Sequence, residues 1–171
     1  DGVADQGCPA QQTAEAEQDG PPPVGLCVSL LRTQSAGAAA ERHGIEEVNF
    51  TFEGHTDART RGIRVLTHNE LKRGDVSLAY VSRLMHRDYH DTPLFRKVLQ
   101  SIWHQVNSGQ EIYVIGKILD DGTVKGGTGW GAEFAKLCNK PLFVFDQEKN
   151  RWFSWKEEKW APFEGGGGPR I

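Results

Sequence analysis

The chain has 171 residues, 37% hydrophobic and 25% charged, enough to bury one sizeable core and ordinary for a globular domain. Its 20 Lys and Arg against 23 Asp and Glu leave a net charge of −3, which argues against a nucleic-acid binder working through a broad basic surface. No stretch approaches the ~18 apolar residues of a membrane span, and the three cysteines, Cys8, Cys27 and Cys138, include no C-x-x-C pair, so a disulfide framework or zinc site is not expected and a reducing, cytoplasmic compartment fits best.

Residues 1–23 carry Gln, Ala, Glu, Asp and three consecutive prolines and read as a disordered arm or linker. The chain begins at Asp1 without a methionine, as processing, excision from a longer chain or an incomplete gene model would leave it. Residues 24–31 are apolar, but no basic region precedes them, so a signal peptide is not expected. A short strand or helix followed by an alanine-rich stretch fits residues 24–43. Val48, Phe50 and Phe52 alternate as a strand does. The segment after it holds Gly54, His55, Thr56, Asp57 and Arg59, either a ligand-facing loop or a surface turn capped by Thr56 or Asp57. In the first case Glu53, His55 or Asp57 would serve binding or acid–base chemistry, with His55 as the natural titrating group.

Thr67 followed by Glu70 is a capping-box signature for a short helix, and residues 76–84 have apolar side chains at mixed spacing. His86 and His90, with Asp88 and Asp91 nearby, have the spacing of metal ligands on a helix. They precede Thr92 and Pro93, however, and so read as the approach to a helix cap, with no metal site expected. Thr92 as cap, Pro93 at the first position, and Leu94, Phe95, Val98, Leu99, Ile102, Trp103 and Val106 at helical spacing predict a helix over residues 93–106. Arg96, Gln100 and His104 then share a polar face, expected to be solvated.

Residues 111–146 are the most informative stretch. Ile112, Val114 and Ile115 begin a strand, and Leu142, Phe143, Val144 and Phe145 form another; neither alternates cleanly, as strands covered on both faces do not. Between them Gly126, Gly127 and Gly129 allow a tight turn and close approach to the backbone, before a helix over about residues 130–137 whose first amides and positive dipole end suit an anion. Lys125 and Thr128 add charge and a hydroxyl, and Glu133 lies one turn into the helix. The spacing is neither that of the Walker loop nor that of the dinucleotide fingerprint, and a tight turn with no ligand is the plain alternative. Cys138, near the helix end, is expected to pack as a small hydrophobe. Trp152, Phe153, Trp155 and Trp160 read as a final edge strand packed in the core, or as an aromatic lid. Residues 164–171, with four consecutive glycines, form a flexible tail.

The string from Lys125 through Gly126, Gly127, Thr128, Gly129, Trp130, Gly131 and Ala132 to Glu133, followed by Asn139, Lys140, Pro141 and a strand ending in Phe145 and Asp146, resembles the molybdenum-cofactor carrier and lysine-decarboxylase-like (LOG) branch of the Rossmann-like SLOG superfamily, over about the C-terminal two thirds of the chain. It looks most like small phage and bacterial members with a tryptophan-bearing tail. In the LOG branch a related glycine-rich loop binds the phosphate and ribose of a nucleotide, and its glutamate takes part in cleaving the N-glycosidic bond. The resemblance carries that role to Glu133 and the loop to Gly126, Gly127 and Gly129; Trp130 stands where that version has threonine. Gly54, Thr56, Asp57 and Arg59 loosely resemble the opening loop of the molybdenum-cofactor carriers.

Together these observations predict an α/β domain over residues 24–163, a three-layer Rossmann-like fold with a mostly parallel sheet and helices on both faces. Its expected activity is binding of a phosphorylated nucleotide-type ligand, a nucleoside monophosphate or an ADP-ribose-like molecule. Gly54, His55, Thr56, Asp57, Arg59, Lys125, Gly126, Gly127, Thr128, Gly129 and Trp130 are the candidate binding residues, and Glu133 the candidate catalytic one. The alternatives are a phosphoribohydrolase-like enzyme, with Arg59 or Arg61 steadying the phosphate, and a carrier of molybdenum cofactor or oxyanion. A further alternative is a non-catalytic interaction domain whose pocket Trp130 fills. No cofactor is required, a homo-oligomer is allowed for, and neither nucleic acid nor membrane is an expected partner.

Overall fold

A computed structural model describes residues 33–44, 46–56, 59–89 and 92–163. The expected N-terminal arm, the apolar run 24–31, the glycine-rich tail, Cys8, Cys27, Asp57, His90 and Asp91 lie outside the described residues. In chain order the elements are α1 (Thr33–Arg42), β1 (Asn49–Phe52), β2 (Ile63–Leu66), α2 (His68–Lys72), α3 (Asp75–Met85), α4 (Pro93–Ser108), β3 (Ile112–Gly116), α5 (Gly127–Leu137), β4 (Leu142–Asp146), β5 (Arg151–Lys156) and β6 (Lys159–Pro162). The architecture is mixed α/β. Among the described residues no helix is long and apolar enough to cross a membrane.

Helix boundaries follow local chemistry. The Thr92 hydroxyl accepts the Phe95 N–H at 3.0 Å and Pro93 occupies the first turn of α4, as the sequence predicts. Glu70 and Thr67 exchange the two bonds of a capping box at α2. His86 ends α3 in the left-handed conformation, φ 51°, its N–H returned to the carbonyls of Ser82 and Arg83. His86 thus stands past the helix rather than on a face that would pair it with a histidine four residues on.

β1 and β2 form a parallel pair, and a second sheet has the order β3-β4-β5-β6. In it only β3 and β4 are parallel, connected through α5 in a βαβ unit; β4–β5 and β5–β6 are antiparallel. A mostly parallel sheet was expected, and tight turns prevent it. Asn150 (φ 50°), and then Glu157 (φ 49°) with Glu158 (φ 58°), turn the chain back on itself where no crossover helix intervenes.

α5 packs on β3 and β4, α4 packs on α5 and on β1, and α2 and α3 pack on α4. Ile112, Val114, Leu142, Val144 and Phe153 turn one sheet face toward the helices, joining Leu99, Ile102, Val106, Trp130 and Phe134 in the main core. The other face carries Tyr113 stacked on Phe143, with Trp152 edge-on to Tyr113 and Phe145. Phe50, Phe52, Leu66 and Leu71 form a smaller core, with Val98 of α4 between the two.

The polar face expected on α4 is not solvated. Gln100 and His104 are buried, Gln100 donating to Asp75 at 2.6 Å and Arg96 bonding the same carboxylate. His104 Nε2 donates to the Glu70 carbonyl at 2.9 Å. α2 and α3 cover this side of α4, and an amphipathic pattern alone does not reveal when a polar face is covered by neighbours that satisfy it.

Candidate functional site

The chain does not pass from β3 to α5 through a bare glycine turn. Ile118 and Val124 bridge to make a small antiparallel loop, closed by Leu119 N–H to Thr123 C=O at 2.8 Å and Lys125 N–H to Lys117 C=O at 2.9 Å. The Asp121 carboxylate holds its tip through the Thr123 N–H and hydroxyl, which keeps that carboxyl below its usual value. Gly126 follows with φ 78° and ψ −161°, a conformation essentially restricted to glycine. The helix starts at Gly127, three residues before the expected position, so Gly127, Thr128 and Gly129 form its first turn.

The glycines divide by surroundings. A side chain at Gly126 or Gly127 would meet open space, whereas a Cβ at Gly129 would collide with the Val124 carbonyl, and one at Gly131 would press on Ile102 of α4. Gly129 and Gly131 therefore serve close packing, and Gly126 and Gly127 leave the amide end of α5 accessible. The N-cap residue, Gly126, has no side chain with which to cap that end, Lys125 is exposed beside it, and Thr128 is half-buried. Such a terminus offers N–H groups and a partial positive charge.

Arg87, which sequence reasoning passed over, reaches the same turn. Its guanidinium donates to the Thr123 hydroxyl at 2.9 Å and to the Val124 carbonyl at 3.3 Å, and lies against Gly129. It comes from the segment after α3, 36 and 37 positions from its two partners; a separation of that size leaves no pattern in the sequence.

Glu133 sits in a different environment. Its carboxylate accepts from Lys136 at 2.7 Å, with the two side chains 11% and 14% exposed. The Lys136 ammonium also donates to the Gly122 carbonyl at 3.0 Å and lies 3.9 Å from the centre of the Trp155 ring and 5.1 Å from that of Trp160. The Trp160 indole N–H donates to the same Gly122 carbonyl at 2.8 Å. The β5–β6 hairpin thereby clasps the loop tip and the lysine that engages Glu133.

Trp130 is 3% exposed and packs edge-on to Tyr89 in the main core. Cys138, expected to pack inside, is instead exposed at the end of α5, because the helix stops there and Asn139 (φ 50°) turns the chain. Asp146 at the end of β4 is fully buried. Burial pushes its carboxyl up, but the N–H groups of Lys149, Glu148 and Ile118 more than offset this and hold it below its ordinary value. Asp146 thus fastens the loop after β3 to the turn after β4.

The earlier candidate loop follows β1. Gly54 has φ 83° and open space around it, Thr56 is exposed, and His55 Nδ1 lies 3.2 Å from the Thr51 hydroxyl with its ring tilted over Phe52. Arg59 is committed elsewhere, forming a two-pronged bond to Glu47 (2.5 and 2.7 Å) and a further bond to Glu41. The guanidinium holds the Glu47 carboxyl below its usual range. Arg61 also pairs with Glu41, at 3.5 Å. Among the described residues, no group of three or more His, Cys, Asp and Glu side chains is arranged to hold a metal.

Comparison with protein-family models, with curated proteins and with solved structures finds no match for this chain.

Proposed function

We propose that the chain binds a phosphorylated nucleotide-type ligand at the amide end of α5. The observation that carries this reading is the open cradle at Gly126 and Gly127 above an uncapped helix terminus. A terminus of this kind suits a phosphate. In this reading the Gly127 amide meets the phosphate, Thr128 adds a hydroxyl, and Lys125 and Arg87 supply charge. A Rossmann-like ancestry, with membership of the SLOG superfamily, belongs to the same proposal; the βαβ unit β3–α5–β4 supports it, as does the position of the loop beyond the carboxyl end of a parallel strand. A cytoplasmic setting goes with it.

The hydrolase version asks Glu133 to stabilise charge developing on a ribose. Its tie to Lys136 favours a binding site without turnover, because a carboxylate neutralised by an ammonium is a weaker stabiliser of positive charge. The carrier version differs only in the anion.

The test is thermal denaturation with phosphate, molybdate, AMP, ADP-ribose and NAD. A ligand at a hundred times its Kd adds about 2.7 kcal/mol, a rise of about 5–10 °C for a domain of this size. Gly127→Asp should abolish the shift in a folded protein, and an undiminished shift would refute the placement of the anion. Glu133→Gln should leave the shift intact; base release from a ligand that is lost in this variant would establish the hydrolase version instead.

A further inference from the structure

α3 buries Leu78, Val81 and Met85 against the core, yet its opposite face is apolar too. Val76 is 83% exposed, Tyr80 50% and Leu84 54%. The three lie four residues apart and so form one continuous ridge along the helix, the kind of row that seats in the groove of a second helix. Exposed side chains of this size scattered singly would need no explanation; three in register on one short helix do.

The charges around the ridge share one sign. Arg73 and Arg83 are both exposed: helical spacing places Arg83 beside Val76 around α3, and Arg73 ends α2 two residues before α3 begins. The acidic side chains of the same stretch are engaged or displaced. Asp75 is bonded to Arg96 and Gln100 of α4, Glu70 closes the α2 capping box and meets Arg64, and Asp88 lies past the left-handed turn at His86. A positive apolar ridge thus stands on a chain whose net charge is −3.

We infer that this face of α3 docks an acidic amphipathic helix of a partner protein, the apolar ridge entering its groove and its carboxylates meeting Arg73 and Arg83. A second copy fits less well, since a twofold pairing of the same face would bring four arginines together with no carboxylate from either side. An anionic lipid surface fits less well too: membrane affinity scales with buried apolar area, and three side chains on a helix otherwise held in the fold offer little.

The experiment uses the full chain and two fluorescent synthetic helices of Leu and Ala, one flanked with Glu and the other with Lys, with binding read by anisotropy. The Glu helix should bind and weaken as salt rises, while the Lys helix should not bind. Leu84→Ser with Val76→Ser, and separately Arg83→Glu, should each weaken the Glu helix about tenfold with an unchanged circular dichroism spectrum. Equal binding of the two helices, or binding indifferent to both variants, would overturn the inference. So would absence of binding, whether it accompanies sedimentation as a dimer that Leu84→Ser dissociates, flotation with phosphatidylserine vesicles, or neither.

Discussion

Three alanine substitutions, made one at a time in the glycine loop, should have three different effects on stability. At Gly127 the backbone is helical and the added methyl meets open space, so the substitution acts chiefly by restricting the unfolded chain and should stabilise by about 0.4–1 kcal/mol. At Gly126 the same open space surrounds the methyl, but φ 78° with ψ −161° is a conformation essentially reserved for glycine, and the strain should cost about 1–3 kcal/mol. At Gly129 the conformation is helical and permissive, but the methyl collides with the Val124 carbonyl, a backbone group that cannot rotate away. The cost should reach the upper end of overpacking, about 3 kcal/mol. For a domain of this length each kcal/mol moves Tm by about 2–4 °C, so Gly129→Ala should melt about 6–12 °C below wild type and Gly127→Ala slightly above it. Differential scanning calorimetry without ligand is the assay. If all three variants lose stability equally, or if Gly129→Ala melts with the wild type, the division between open and packing glycines is wrong, and with it the cradle.

The β5–β6 hairpin turns through Glu157 and Glu158, both at positive φ; replacing the pair by Asn-Gly removes the left-handed strain of ordinary residues and should raise stability by about 1–2 kcal/mol, measured by urea denaturation. Burial lowers the pKa of His104 below 6.5, against the hydrogen bond to Glu70, so its contribution should be fully present above pH 6.5 and be lost as pH falls from there through the folded value; a His104→Gln variant should show a flatter stability profile over that window. Burial and the hydrogen bond to Glu111 push Tyr113 up to about 12, so ultraviolet titration of the folded chain should show a late-ionising phenol that is absent in Tyr113→Phe.

Local signals of the fold were legible where one side chain or a short spacing decides. Thr92 with Pro93, and Thr67 with Glu70, mark helix starts because a cap needs only a hydroxyl and a backbone amide three positions on. The strands around Val114 and Val144 were legible as short apolar runs, although β4 alternates buried and half-buried residues and is not covered equally on both faces. The direction of β6 was not legible, since it depends on left-handed turns at Glu157 and Glu158, residue types that carry no turn signal. The fate of Gln100 and His104 was hidden for a related reason: their partners Asp75 and Glu70 belong to elements 25 and 34 positions away.

The candidate site divides in the same way. Gly126 and Gly127 were legible as a loop, but the sequence does not show that Gly129 and Gly131 differ from them in packing against Val124 and Ile102. Arg87 and Trp160 meet the loop only through tertiary contacts, at Thr123 and Gly122. Their placement has a physical consequence for the amide end of α5. Trp160 and Lys136 both bond the Gly122 carbonyl, and Lys136 in turn holds Glu133, so the loop tip, the helix and the hairpin form one hydrogen-bonded unit. A terminus held this way keeps its amides in place before any anion arrives, and a preorganised site spends less of its binding free energy on ordering itself. The same clasp that makes Glu133 a poor candidate for charge stabilisation makes the glycine end of the helix a better one for binding.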